Sequence, residues 1–167
     1  MGVEGSEPMK TMSSVTAFQP LDDSRAGYWI DPERGIRVEE YRGQVGLDEI
    51  RWVAKAAACD PAWGPDLNGL VDFSGAKLEM SSNDVLRLAL MMRREPYRTR
   101  GWTAFTVASS VAYGIVRMLG TWSRMTDRIR IFSDRDEAER WLHSKTRKRE
   151  EDGAISAPVP ASLVCAG

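Results

Sequence analysis

The feature that most constrains the fold is an uninterrupted alternation of short strand-like and longer helix-like stretches between Gly27 and Leu142. The strand-like stretches are compact apolar runs bounded by turn residues, whereas the helix-like ones repeat apolar residues at three- and four-residue steps. Strands that alternate with helices are typical of a sheet whose parallel strands are joined by helical crossovers. We therefore predict an α/β fold with the element order β-β-α-β-α-β-α-β-α.

The predicted sheet begins with an antiparallel hairpin. Its strands cover 27–30 and 35–41 and flank the turn signal Asp31-Pro32-Glu33-Arg34-Gly35, which is rich in residues that favour tight turns. The elements after the hairpin are predicted as helix 47–60, strand 68–73, helix 81–95, strand 103–108, helix 109–122, strand 128–132 and helix 133–145.

The length and apolar content of the chain allow one domain. It has 167 residues, 43% of them hydrophobic, which is enough for a single core. Residues 1–25 mix serine, threonine, proline and methionine without periodicity, and we predict a disordered leader there. Residues 146–167 change from a charged block to small residues and proline, which predicts a disordered tail that includes Cys165. The predicted domain therefore covers residues 26–145.

The charge balance excludes a global electrostatic field for nucleic acid or an anionic membrane. Lysine and arginine total 23 against 24 aspartate and glutamate residues, which gives a net charge of −1. The longest uncharged run, 101–116, is shorter than the roughly 20 apolar residues of a membrane-spanning helix. The first residues also lack the basic start and apolar stretch of a secretory signal. We therefore predict a cytoplasmic protein with no transmembrane segment and no nucleic-acid partner.

Catalytic and metal-binding signatures are missing from the sequence. It contains no nucleophile elbow, phosphate-binding loop, dinucleotide fingerprint or zinc-protease pair of histidines. The two cysteines form no paired motif, and the single histidine, His143, is predicted to be solvated at the C-terminal end of the last helix. Cys59 is predicted to be a small buried or half-buried thiol. We therefore predict a protein that is not an enzyme and uses no metal or cofactor.

Serines occupy three predicted junctions between a strand and a helix. Ser81-Ser82, Ser109-Ser110 and Ser133 each come where a helix begins. Ser81 and Ser133 are also followed by an aspartate three residues later, as in a capping box. In a parallel sheet these junctions share the edge at the carboxyl ends of the strands, where α/β proteins bind ligands. The serines are therefore interpreted either as helix caps alone or as part of an anion-binding or phosphorylation surface.

Asp72 is the carboxylate best placed for a functional role. It lies between Val71 and Phe73 near the end of a predicted central strand. Its side chain is expected either to accept hydrogen bonds from loop amides or to contact a ligand or partner. With Ser74 and the serines of the first two junctions it makes up a candidate regulatory or partner rim. The rim residues are Asp72, Ser74, Ser81, Ser82, Ser109 and Ser110.

Two further sets of residues have a structural and a functional interpretation. Residues 87–100 carry five arginines against one glutamate, and four more arginines follow between 117 and 130. These arginines are interpreted either as charges on solvated helix faces and at helix ends, or as a local surface that binds an anionic partner. Methionine and tryptophan at helical spacing either fill the core or line an apolar groove for an acyl chain or a partner helix. The candidate groove residues are Met91, Met92, Met118 and Trp122.

Parts of the sequence resemble a known family. NGLVDFSGAKLEMSSNDVLRLALMM resembles the stretch of STAS domains, the anti-sigma-factor antagonist family, in which a strand ending in an Asp-Leu-Ser-Gly-like turn leads to Asp-Ser-Ser-Gly at a helix start. TAFTVASSVAYGIVRM and RIRIFSDRDEAERWL are similar to the bacterial SpoIIAA-like, or STAS/SEC14-domain, proteins, whose function is uncharacterised. The resemblance covers about residues 27–143. It implies a SpoIIAA/STAS-like mixed sheet with an antiparallel N-terminal hairpin and four helices.

The resemblance implies a regulatory or protein-interaction module without a reaction of its own, which acts on an unidentified protein partner. In the antagonist branch a partner kinase phosphorylates the second serine of Asp-Ser-Ser-Gly, and this serine corresponds to Ser82. Met80 and Asn83 replace the Asp and Gly of that motif, so the chain is closer to the uncharacterised branch. A second hypothesis follows from the SEC14 relatives of the fold, which bind lipids. In that case the chain is a carrier of a lipid or another apolar small molecule.

Overall fold

The structure is a computed structural model that describes residues 25–151, with side chains through Arg147. In this part of the chain, one five-stranded sheet is accompanied by four helices. The strands are β1 (Ala26–Asp31), β2 (Ile36–Val45), β3 (Asn68–Leu78), β4 (Thr103–Val107) and β5 (Ile129–Phe132). The helices are α1 (Leu47–Ala58), α2 (Ser82–Met92), α3 (Ser110–Ser123) and α4 (Arg135–Glu151). The predicted α/β fold class and element order are confirmed.

The strands lie side by side in the order in which they follow in the chain, β1-β2-β3-β4-β5. β1 and β2 are antiparallel, with Ala26 opposite Tyr41 and Asp31 opposite Ile36. The other neighbouring pairs are parallel, and each is joined by a helix because parallel strands need a crossover connection. The predicted N-terminal hairpin and the helical crossovers are therefore confirmed.

The turn of the hairpin follows from its residue types. Gly35 has a φ of 61°, a left-handed conformation that glycine adopts without steric cost, and its amide donates to the Pro32 carbonyl at 3.3 Å. The Asp31 carboxylate accepts a hydrogen bond from the Arg34 amide at 3.0 Å, as aspartate does in many turns. The turn signal in the sequence therefore comes from residues that stabilise the turn directly.

Helices cover the two faces of the sheet unequally. α1, α2 and α3 pack on one face and enclose the larger core, which includes Val71, Phe73 and Phe105 of the central strands. Side chains alternate along a strand, so Leu70 points to the other face, where α4 packs. The smaller core on this second face consists of Ile36, Val38, Leu70, Ala104, Phe132, Ala138 and Leu142, with Trp29, Trp102 and Trp141 partly buried around it.

β3 continues past the strand end predicted at Phe73. It pairs with β4 up to that residue, and its second half pairs with β2 as far as Leu78. A bulge in β3, where Phe73 and Ser74 lie opposite the single residue Tyr41 of β2, shifts the register where this two-stranded extension begins. The extension is absent from the prediction because residues 74–77 show no apolar alternation. Their pairing comes from a neighbouring strand rather than from their own pattern.

α4 differs from its prediction at both ends. It begins at Arg135, and Asp134 rather than Ser133 accepts the hydrogen bond from the Glu137 amide, at 2.8 Å. The predicted Ser133 capping box is therefore wrong, because an aspartate that caps as well as serine directly precedes the helix. α4 also continues to Glu151, beyond its predicted end. Lysine, arginine and glutamate favour helix without an apolar face, which explains the additional turns.

Residues 1–24 and 152–167 lie outside the described residues. The predicted leader and most of the predicted tail, with Cys165, fall in these ranges and stay predictions. The first described strand begins at Ala26, where the domain is predicted to start.

Candidate functional site

Ser81 is the N-cap of α2. Its Oγ accepts a hydrogen bond from the Asp84 amide at 3.2 Å, and the Asp84 carboxylate accepts one from the Ser81 amide at 3.0 Å. The Ser81 hydroxyl also donates to this carboxylate at 2.7 Å. These hydrogen bonds hold the pKa of Asp84 below its ordinary value. The predicted capping box is confirmed, and the Ser81 hydroxyl is fully engaged in it.

Ser82, the next residue, has no capping role. It is the first residue of α2, it is exposed, and its hydroxyl makes no hydrogen bond to another described residue. Leu86 and Leu90 follow at four-residue steps, each with 42% of its surface exposed. Residues spaced by four lie on one helix face. Ser82 is therefore at the N-terminal end of an exposed aliphatic face of α2.

α3 begins in the same way as α2. Ser109 is its N-cap, since the Ser109 Oγ accepts a hydrogen bond from the Ala112 amide at 3.1 Å. Ser110 is the first helical residue and is exposed, and it is followed by Val111, which is 65% exposed, and by the exposed Tyr113. α2 and α3 pack side by side and run in the same direction because both connect parallel strands. Their N-termini therefore lie at the same edge of the sheet.

Asp72 is buried on the opposite face of the sheet, under α4. Its Oδ1 accepts hydrogen bonds from the Ser74 amide at 2.9 Å and from the Thr106 hydroxyl of β4 at 2.5 Å. Its Oδ2 accepts one from Nη1 of Arg135, the first residue of α4, at 3.2 Å. The interpretation of Asp72 as an acceptor of backbone amide hydrogen bonds agrees with this geometry.

The environment of Asp72 favours its ionised form. Burial raises the pKa of Asp72, but the hydrogen bonds from Ser74 and Thr106 and the positive charge of Arg135 lower it by more. The pKa of Asp72 therefore lies below its ordinary value. A carboxylate in this state acts as a charged anchor for α4, because it cannot donate a proton near neutral pH.

Arg135 is missing from the predicted site residues, although it is the centre of this cluster. Its guanidinium also donates to Glu40 Oε1 of β2 at 2.5 Å and to Glu139 Oε1 of α4 at 2.9 Å. An arginine in the first turn of a helix is unfavourable beside the positive end of the helix dipole. Its position in the sequence is therefore the signal that could indicate acidic partners nearby.

The structure places the predicted rim residues on both faces of the sheet. Asp72 lies under α4, whereas the four serines at the starts of α2 and α3 lie on the other face. Ser74 is exposed in the extension of β3. The structure instead places Ser82 and Ser110 next to exposed apolar side chains of α2 and α3.

A cavity of about 60 Å³ lies between the sheet and helices α1 to α3. Met91 and Met92 line it, whereas Met118 and Trp122 are not part of its wall and pack, partly buried, against the larger core. Pockets for small molecules typically measure roughly 300–1,000 Å³. Two of the four predicted groove residues thus line this cavity, which is too small to support a lipid carrier.

The wall of this cavity contains a buried ion pair. Arg37 Nε lies 3.0 Å from Glu39 Oε1, and the Tyr41 hydroxyl donates to Glu39 Oε2 at 2.9 Å. The Arg37 guanidinium also lies over the Trp63 ring, 4.9 Å from its centroid. Burial, together with the Glu39 carboxylate, raises the pKa of Tyr41 well above its ordinary value. Because Glu39 balances the charge of Arg37, this pair offers no net charge to a ligand.

Two other predicted residues differ from expectation. Cys59 is disulfide-bonded in the structure, so the predicted free thiol is wrong. It is half-buried at the C-cap of α1, and the other cysteine of the chain, Cys165, lies outside the described residues. His143 is exposed as predicted, but it lies within α4 rather than at its C-terminal end, because the helix is longer than predicted.

Residues 25–151 contain no group of three or more histidine, cysteine, aspartate or glutamate side chains placed to hold a metal ion. None of the helices described here has both the length and the apolar character needed to cross a bilayer. The cytoplasmic location and the absence of a nucleic-acid partner stay predictions.

Comparisons with known proteins give a similarity in structure but no match to a family model or a curated sequence. No protein-family model matches the chain, and no curated protein sequence matches it. Among solved structures, it is similar to an uncharacterised protein of the DUF3478 family with a SpoIIAA-like fold from Shewanella loihica PV-4. The two share 13% sequence identity with a TM-score of 0.45, and the similarity covers 81% of this chain and 99% of that one.

Proposed function

We propose that this chain is a non-catalytic regulatory or protein-interaction module. Its partner binds at the outer side of α2 and the N-terminal end of α3. We call this region the α2–α3 surface. It consists of Ser82, Leu86, Leu90, Ser110, Val111 and Tyr113.

The main observation behind the proposal is the exposed aliphatic face of α2. Leu86 and Leu90 are each 42% exposed, one helical turn apart, beside a second helix that exposes Val111. Single exposed apolar side chains are common on protein surfaces, whereas several on one patch are typical of an interaction site. Full burial of a completely exposed leucine is worth about 1.5–3 kcal/mol, so covering the 42% of each side chain that is exposed contributes about 0.6–1.3 kcal/mol. Together the two leucines contribute about 1–2.5 kcal/mol to the binding of a partner.

Ser82 gives this surface a means of regulation. Ser81 caps the helix, so a modification of Ser82 leaves the cap intact. A phosphate on Ser82 adds about −1.5 to −2 charge, which the helix N-terminus favours and the nearby Asp84 carboxylate opposes. Folding should change little, while the electrostatic potential beside Leu86 changes strongly. A partner that docks on the aliphatic face is then released.

A pull-down from the native host tests the proposal with four versions of the full chain. They are wild type, Leu86→Asp, Ser82→Asp and the matched control Ser144→Asp. Ser144 is exposed on α4, on the other face of the sheet, so the control adds the same charge at a distance. We expect one protein, identified by mass spectrometry, to bind wild type and control and to be lost with the other two. Thermal melts of all four versions show whether each is folded, so that a lost interaction is not mistaken for unfolding.

The purified partner then allows a quantitative test. Titration calorimetry should show that Leu86→Asp weakens binding by about tenfold or more, equivalent to about 1.4 kcal/mol. Ser82→Asp should weaken the same complex, and Ser144→Asp should leave its affinity unchanged. A partner that binds all four versions equally well contradicts a role for the α2–α3 surface.

A further inference from the structure

A second cavity, of about 510 Å³, opens at the edge of the sheet where β4 and β5 begin. Its walls come from the segment that joins α2 to β4 and from the segment that joins α3 to β5. We call it the arginine groove. It lies at the opposite end of the helices from Ser82 and Ser110, so it is separate from the α2–α3 surface. Its wall includes five arginines and one threonine, which are Arg93, Arg98, Thr99, Arg100, Arg124 and Arg128.

The arginine groove carries an excess of positive charge. Its wall contains five arginines and no carboxylate. Arg100 has a carboxylate partner, since its Nε and Nη2 donate to Asp66 at 3.1 and 2.9 Å. Arg93, Arg98 and Arg124 form no ion pair with any other described residue. At least these three guanidinium groups are available to an anion.

Thr99 adds a hydrogen-bonding group that lacks a partner. It is 8% exposed, and its Oγ1 makes no hydrogen bond within the described part of the chain. A buried hydroxyl without a partner is destabilising, and such groups are rare in native proteins. Thr99 lines both the arginine groove and the cavity of about 60 Å³, and an acceptor oxygen that reached its hydroxyl would supply the missing partner.

Arg124 has a backbone conformation that is unusual for an arginine. The residue ends α3 with a φ of 61°, a left-handed conformation in which glycine is usual. The Met125 amide donates to the Gly120 carbonyl at 3.0 Å and the Arg124 amide to the Thr121 carbonyl at 3.3 Å, as in a common helix-ending motif. Glycine would make the same hydrogen bonds with less strain. The arginine is therefore explained by its guanidinium and not by the turn.

Stabilisation of helix ends accounts for only some of these arginines. Arg93 and Arg124 are the C-caps of α2 and α3, where the helix dipole favours positive charge. Arg98, Arg100 and Arg128 lie beyond the helices, in the connecting segments. The helix dipole does not explain why all five face one cavity.

The segment 98–101 is held in a fixed position. The Arg100 amide donates to the Pro65 carbonyl at 2.6 Å. A Cβ on Gly101 would lie 2.0 Å from the Leu67 carbonyl oxygen, so this close approach requires glycine. A fixed backbone reduces the entropy that binding must remove from the arginine side chains.

We propose that the arginine groove binds a molecule that carries more than one phosphate group. Guanidinium groups bind phosphate oxygens in bidentate pairs, and several of them around one cavity favour a multiply charged anion. The volume of about 510 Å³ lies within the roughly 300–1,000 Å³ of small-molecule pockets. The inference does not depend on the function proposed above, because no residue of the α2–α3 surface takes part.

Titration calorimetry of the full chain with inorganic pyrophosphate at low ionic strength tests the inference. We expect saturable binding that weakens as salt is added, and a loss of about tenfold or more in Arg98→Gln/Arg124→Gln. The matched control Arg94→Gln/Arg117→Gln removes the same charge from exposed arginines outside the groove and should bind as wild type does. Thr99→Val should weaken binding without lowering the melting temperature of the free protein, because its hydroxyl has no partner there.

Two further ligands test the phosphate class and its source. Phosphatidylcholine vesicles that contain phosphatidylinositol bisphosphate, if bound by wild type and not by the Arg98/Arg124 variant, identify a lipid headgroup as the carrier of the same phosphate chemistry. Citrate that binds as tightly as pyrophosphate overturns the assignment to phosphate. Wild type that binds neither pyrophosphate nor these vesicles, or a control variant that loses as much affinity as the groove variant, overturns the inference.

Discussion

The contact between Arg135 and Asp72 allows a direct test of how α4 is held on the sheet. Arg135→Met removes the guanidinium but keeps an unbranched apolar side chain of similar reach. Asp72 then loses a positive partner at 3.2 Å, while the hydrogen bonds from Ser74 and Thr106 remain. The substitution also removes the hydrogen bonds from Arg135 to Glu40 and Glu139, so a double-mutant cycle with Asp72 is needed to separate the contact between Arg135 and Asp72.

The expected loss lies between those for exposed and buried ion pairs. Exposed pairs contribute about 0.2–1 kcal/mol, and removal of one partner from a buried pair costs about 3–5 kcal/mol. The side chain of Arg135 is 37% exposed and that of Asp72 is 11% exposed, so solvent screens the pair in part. We expect Arg135→Met to lower the free energy of unfolding by about 1.5–2.5 kcal/mol.

Urea unfolding at neutral pH measures this loss in a double-mutant cycle. The four proteins are wild type, Arg135→Met, Asp72→Asn and the double variant. Because asparagine carries no charge, Arg135→Met should cost less in the Asp72→Asn background, with a coupling energy of about 1 kcal/mol. A coupling energy near zero refutes the view that Arg135 acts through Asp72.

The pKa of Asp72 adds a pH dependence of defined sign. In the folded protein this pKa lies below the ordinary value of 3.8. A carboxyl group with a lowered pKa contributes stability above its unfolded-state pKa and loses it as the pH falls through the folded-state pKa. The advantage of wild type over Asp72→Asn should therefore stay constant down to about pH 5 and shrink below about pH 3.8. An advantage that grows on acidification contradicts this reasoning.

Three more substitutions test the cap of α2 and the apolar contacts of α4 by urea unfolding. Ser81→Ala should lower the free energy of unfolding by about 0.5–2 kcal/mol, whereas Ser82→Ala should change it by less than about 0.5 kcal/mol. Equal effects contradict the separate roles of the two serines. Trp141→Ala should cost about 3 kcal/mol, because the indole packs edge-on against Trp102 with ring centroids 5.7 Å apart but is only partly buried. A loss below about 1 kcal/mol means that the smaller core does not hold α4.

Local patterns in the sequence predict the elements of this fold well. α2 buries Val85, Leu88 and Ala89, and their spacing of three and four residues is the pattern that predicts the helix. The Ser81 cap is equally local, because its hydrogen bonds are formed with Asp84, three residues farther along the chain. Signals of this kind can be read from sequence because cause and effect lie in the same short segment.

Contacts between distant segments could not be predicted in this way. Arg135 and Glu40 are separated by 95 positions, and no periodic pattern connects them. The arginine groove has the same origin, because its two segments meet only when α2 and α3 pack side by side. The predicted rim is divided between the two faces of the sheet for a related reason. The alternation of side chains along β3 turns Asp72 away from the helices that carry the serines.

The placement of α4 has a consequence for synthesis on the ribosome. Among the described elements, α4 is the last to be made, and it supplies the helical cover for one face of the sheet. The strands and the other three helices are complete before Leu142 leaves the exit tunnel, so Val38 and Leu70 face water during that interval. An uncovered apolar sheet face on a nascent chain is prone to aggregation and is a substrate for chaperones. If the ribosome stalls before this helix has emerged, the nascent chain has its larger core formed, but the sheet face that α4 covers stays exposed and apolar.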